Sequence, residues 1–148
     1  MMMSRSLLTL FLPLILAGCA PTRPMPNVAD LRGNIPSQTL AEDAVLQLSR
    51  VFPPAKTRLY FTRTADDAFG RAFVTGLRET GYAVEDAASG SPGDQAQHAG
   101  VPVSYIIDPI AGDAGYRLSL MVGEGVLSRA YSVYQDGSVG GGAWAYRE

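Results

Sequence analysis

Thr57 to Asp86, "TRLYFTRTADDAFGRAFVTGLRETGYAVED", decides the fold. Its first seven residues are rich in β-branched and aromatic side chains, and Leu59 and Phe61 alternate onto one face of a strand. Asp66-Asp67 then opens a helix, because acidic side chains suit the exposed amides and the positive end of the helix dipole. Phe69, Ala72, Phe73, Gly76 and Leu77 recur at helical spacing and give that helix one apolar stripe, which Gly81 terminates. "YAVED" follows as a second short strand. Strand, helix and strand make a β-α-β unit whose two strands lie parallel or nearly so.

Toward the C-terminus, Ala87 to Gly100 has the composition of a flexible loop. An antiparallel meander is predicted beyond it. Val101, Val103, Tyr105 and Ile107 alternate, "AGDAG" turns, Tyr116, Leu118, Leu120 and Val122 alternate, "GEG" turns again, and Val126 to Tyr134 returns. Asp136-Gly137 is a further turn signal. Gly140-Gly141-Gly142 bends the chain before a short last strand carrying Trp144 and Tyr146.

Toward the N-terminus, Thr39-Leu-Ala-Glu42 has the form of a capping box, with Leu40, Ala44, Val45, Leu48 and Val51 at helical spacing behind it. Pro53-Pro54 ends this first helix. The expected domain, residues 37–148, is α+β: two helices on one face of a mostly antiparallel four- to five-stranded sheet, with one β-α-β unit. Ahead of it, Ala20 to Pro36 holds four prolines and shows no helical or strand period. It reads as a tether, either a plain spacer or a segment that itself lies along a partner.

The start of the chain follows a different pattern. Arg5 is the charge in Met1 to Ser6, Leu7 to Ala17 is apolar apart from Thr9, and the small pair Ala17-Gly18 precedes Cys19. This is the order of a secretory signal peptide over residues 1–18, too short for a permanent bilayer span. Leu16-Ala17-Gly18-Cys19 also resembles a bacterial lipobox. That resemblance implies cleavage before Cys19, a diacylglyceryl group on its sulfur and a further acyl chain, such as palmitate, on its nitrogen. Two or more chains anchor stably where one binds reversibly, at about 0.8 kcal/mol per buried methylene. Ala20, where an Asp would favour inner-membrane retention, points to the outer membrane, with the domain on the periplasmic face. A plain signal peptide and a short membrane anchor are the other readings of this segment.

Composition narrows the function classes. Of 148 residues, 12 are basic and 14 acidic; without residues 1–18, which hold Arg5 and no acid, 11 face 14, a net charge of about −3. No direct nucleic-acid binding is expected from such a balance. Cys19 is the one cysteine, so no disulfide forms within the chain.

No catalytic, cofactor-binding or metal-binding residue is predicted. The one histidine, His98, sits in the polar loop without a second ligand nearby. Asp66-Asp67 is explained by helix capping, and Asp108 and Asp113 by turn chemistry. Asp136-Gly137-Ser138-Val139-Gly140 lacks the first glycine of a nucleophile elbow. Gly123-Glu124-Gly125 stands between strands with Ser128 where a dinucleotide loop needs glycine, and Gly140 to Gly142 lacks the lysine of a phosphate loop.

Taken together, "LAGC", the proline-rich tether, "LAEDAVLQLSRVFPPAKTRLYF" and "DDAFGRAFVTGLRETGYAV" resemble the TrbH-type conjugal transfer lipoproteins over nearly the whole chain. The resemblance implies a structural component of the mating-pair formation apparatus, a type IV secretion system, at the outer-membrane end of its channel. It implies as partners the protein subunits of that channel, a homo-oligomeric ring being one arrangement, and membrane lipid through Cys19. It supplies no catalytic residues. An escort lipoprotein, chaperone-like toward another outer-membrane protein, is the competing reading; it requires an apolar groove or an open sheet edge.

Overall fold

The computed structural model describes residues 28–29, 36–87, 99–111 and 115–148. Cys19, His98 and Asp113 lie outside them. The elements run in the order β1 (Val28–Ala29), α1 (Ser37–Val51), a 3₁₀ turn (Pro54–Lys56), β2 (Arg58–Phe61), α2 (Ala68–Glu79), β3 (Ala83–Glu85), β4 (Val101–Pro109), β5 (Tyr116–Val122), β6 (Gly125–Val133), β7 (Val139–Gly141) and β8 (Ala145–Arg147).

Thr57 to Asp86 does form the β-α-β unit, and β2 and β3 pair in parallel, Leu59 opposite Val84. Asp67 is the N-cap of α2 and accepts a hydrogen bond from the Gly70 N–H at 2.9 Å. The helix closes with a Schellman motif: the Tyr82 N–H reaches the Leu77 carbonyl and the Gly81 N–H reaches that of Arg78, both at 3.0 Å. Gly81 accommodates this at φ +97°, where a side chain would be strained.

The sheet departs from the sequence expectation. The α+β class holds and the long ladders are antiparallel, but the sheet is mixed and has eight strands in place of four or five. Three of its seven pairings are parallel: β1 with β4, β2 with β4, and β2 with β3. The eight strands fill six positions, because β4 and β6, nine residues each, both carry two short partners on one edge. On β4, β2 takes Val101 to Val103 and β1 takes Ile106 and Ile107. On β6, β8 takes Val126 to Ser128 and β7 takes Tyr131 to Val133. Strands of two or three residues are too short to show a period, so Val28 and Ala29, within the stretch read as tether, gave no strand signal.

The first helix also starts differently. It begins at Ser37, and no side chain caps it. Thr39 is therefore inside the first turn, and Glu42 accepts a hydrogen bond from the Gln38 amide at 2.9 Å in place of closing a capping box.

One hydrophobic cluster holds these elements together. Leu40, Ala41, Ala44, Val45 and Leu48 of α1 and Phe69, Phe73, Val74 and Leu77 of α2 bury their apolar sides against the sheet. The sheet contributes Leu59, Phe61, Val103, Tyr105, Ile107, Leu118, Leu120, Val122, Leu127 and Tyr131, every second residue of its strands. Both helices therefore cover the same face, as the alternation predicts. Burial of a single Leu or Phe side chain is worth about 1.5–3 kcal/mol, so this cluster is the main source of stability.

Candidate interaction surface

Two aspartates pin the helices to the sheet. At α2, Asp67 divides its carboxylate: Oδ1 caps the helix through Gly70, and Oδ2 accepts the hydroxyl of Tyr105 from β4. Gly70 is required for this approach, since a Cβ there would run into the Tyr105 hydroxyl and the Ala65 carbonyl. Tyr105 is fully buried against Phe69, ring centroids 4.9 Å apart.

At α1, Asp43 gathers three donors from the far end of the chain. Arg129 Nη1 reaches both carboxylate oxygens at 2.7 Å, the Tyr131 hydroxyl donates at 2.5 Å, and Trp144 Nε1 at 3.2 Å. The guanidinium also stacks near the Tyr131 and Trp144 rings, 5.4 and 5.9 Å from their centroids. Gly141 clears the space, because a Cβ there would overlap the guanidinium. Burial, followed by the bond to Asp67 or Asp43, pushes the phenols of Tyr105 and Tyr131 far above the usual tyrosine range. Burial raises Tyr82 to about 12; its hydroxyl donates to the Phe52 carbonyl at 2.5 Å.

These anchors use the helix-covered face, and the other parity of the strands builds the opposite one. No described helix covers it. There, Arg117 and Ser119 of β5, Val126 and Ser128 of β6, and Ala145 and Arg147 of β8 line a depression of about 340 Å³. Ser119 stands opposite Ser128, Ser128 opposite Ala145, and Val126 opposite Arg147. Arg117 also pairs with Asp108 across β4 and β5 at 2.7 Å. The sequence passed over these residues, although their parity was legible: Arg117 and Ser119 fall between Tyr116, Leu118 and Leu120.

The other candidates take structural places. Asp66 accepts the Arg71 guanidinium on its backbone carbonyl. Asp136 turns the chain, accepting from the Ser138 amide at 2.9 Å and hydroxyl at 2.6 Å, and those bonds hold its carboxyl below the ordinary value. Gly123, at φ +63°, forms the β5–β6 turn. Among the described residues, no three His, Cys, Asp or Glu side chains are placed to hold a metal ion, and no helix is long and apolar enough to cross a membrane.

The family model of the conjugal transfer protein TrbH matches residues 27–148, from one residue ahead of β1 through β8. The chain belongs to the TrbH family. It is thereby a conjugal-transfer component. No curated protein and no solved structure matches the chain. In this TrbH-family fold the pinned face is committed to internal packing, and the open face presents side chains outward.

Proposed function

We propose that this chain is a structural subunit of a conjugal DNA-transfer channel, a type IV secretion system. Lipid on Cys19 holds it on the periplasmic face of the outer membrane. The TrbH family match over residues 27–148 carries the reading. The order of apolar run, "LAGC" and proline-rich segment supports the anchor. Such an anchor raises the local concentration of the domain beside its partners, so individually weak protein contacts suffice.

The test compares the native chain with Cys19→Ser by mass spectrometry, membrane fractionation and mating frequency. The expected variant lacks the acyl mass, leaves the outer membrane and lowers mating. Retention of the membrane association without lipid mass overturns the lipoprotein reading. Unimpaired mating in a deletion strain overturns the channel reading. Loss of one outer-membrane protein from that strain, with the channel otherwise assembled, favours an escort lipoprotein instead.

A further inference from the structure

We infer that the open sheet face is a docking surface for an extended, acidic segment of a partner protein, received in the depression between Arg117 and Arg147. This rests on the partner-binding role proposed above and names the chemistry of the contact. The chain carries a net charge of −2, yet this depression is lined by two arginines and no acid. The Arg147 guanidinium has no ion-pair or hydrogen-bond partner among the described residues, and neither do the hydroxyls of Ser119 and Ser128. Arg117 is bound to Asp108 but keeps 58% of its side chain exposed.

The arrangement suits a chain more than a point ion. Ser119 and Ser128 face each other, Ala145 continues the row, and Arg117 and Arg147 stand on opposite sides of it. An incoming segment meets a guanidinium at either end and hydroxyl groups between. Val126 and Ala145 offer it an apolar floor. The Arg117 fork already holds both oxygens of Asp108, so it adds positive charge. The Arg147 guanidinium is open to bind a carboxylate through paired N–H donors, which selects glutamate or aspartate over neutral side chains. Two copies of this chain, each of net charge −2, repel one another outside the depression, which favours a separate acidic partner over a second copy.

The test is a titration of the ¹⁵N-labelled full chain with a short peptide of alternating glutamate and valine, followed by amide shifts. The expected result is saturable movement of the signals of Arg117, Ser119, Ser128 and Arg147, weakening as salt is added. Arg147→Gln is expected to loosen the peptide about tenfold, which is the weight of one charge-assisted contact. Arg147 is exposed, and an unchanged melting temperature confirms that the variant folds.

Four results overturn the inference. A matched glutamine–valine peptide binding equally well shows that charge is not read. Inorganic phosphate reproducing the shifts at equal concentration shows a simple anion site. Movement on raising the protein concentration alone shows a surface for a second copy. Shifts confined to the helices or to β3, or no shifts at all, place the surface elsewhere. None of these results touches the Cys19→Ser mating experiment, so the two readings fail separately.

Discussion

The two aspartate anchors solve one problem with opposite means. Asp67 caps its own helix with one oxygen, three residues away at Gly70, and holds Tyr105 of β4 with the other, 38 residues away. Asp43 sits within α1 and collects Arg129, Tyr131 and Trp144, as many as 101 residues away. The first anchor uses a charge that the helix terminus already favours. The second buries most of an ion pair and stabilises only while every donor is in place. Each also depends on one glycine, Gly70 or Gly141, that clears room for the partner side chain.

The largest effect that probes this pair is alkaline unfolding. Tyr82, Tyr105 and Tyr131 all have folded pKa values above the ordinary 10. Their contribution is complete below pH 10 and is lost as pH rises toward the folded values, which for Tyr82 is about 12. Tyrosinate absorbance of these three is expected to appear only as circular dichroism is lost. Tyr105→Phe and Tyr131→Phe should flatten the alkaline limb equally; a shallower effect at Tyr131 would show that the Arg129 cation beside it offsets more of the upward shift than Arg71 does at Tyr105.

Side-chain deletion separates the anchors next. Asp43→Ala strands the Arg129 guanidinium, whose Nε has no partner among the described residues even with Asp43 in place. The pair keeps 20% and 28% exposure, so the cost falls at the low end of buried pairs, about 3 kcal/mol by urea denaturation. Asp67→Ala removes a cap and the acceptor of one hydroxyl, about 2 kcal/mol together. The reverse order would mean that the long-range anchor is less complete than its geometry.

At the glycines the order is expected to invert. A Cβ at Gly70 meets the Ala65 backbone at 2.8 Å, which cannot give way, and Gly70→Ala should cost about 2.5 kcal/mol. At Gly141 the obstacle is the Arg129 guanidinium, a partly exposed side-chain end that can tilt away while its Nη1 stays on Asp43, and Gly141→Ala should cost about 1 kcal/mol. Thermal melts of both variants decide this. The smallest effect is expected at Thr39→Ala, under about 0.5 kcal/mol, because Thr39 caps nothing.

The same contrast explains what was legible in the sequence. The Asp67 anchor belongs to a local pattern, so the helix start, its stripe and the Gly81 stop could all be read. The meander was legible because β4, β5 and β6 are long enough to alternate. Nothing local marks Asp43, which lies among helical residues like any solvated acid. Its signal was on β6, where Arg129 falls at the inward parity between Leu127 and Tyr131, and a charge placed there requires a partner. Thr39 misled because a capping sequence is informative only where a helix begins, and α1 had begun two residues earlier. The short strands β1 and β7 were hidden for a different reason: their places are set by the edges of β4 and β6, not by their own residues.

The separation of Asp43 from Trp144 also sets an order of events for a chain that emerges N-terminus first, from a ribosome or through a narrow pore. The β-α-β unit has all its residues by Glu85 and is free to form early. The donors to Asp43 arrive only with β6 and Trp144. Until then the polar anchor of α1 is unmade, and its apolar stripe has only α2 and the first strands to pack against. Completion of the Asp43 anchor is thus timed by the arrival of the last strands.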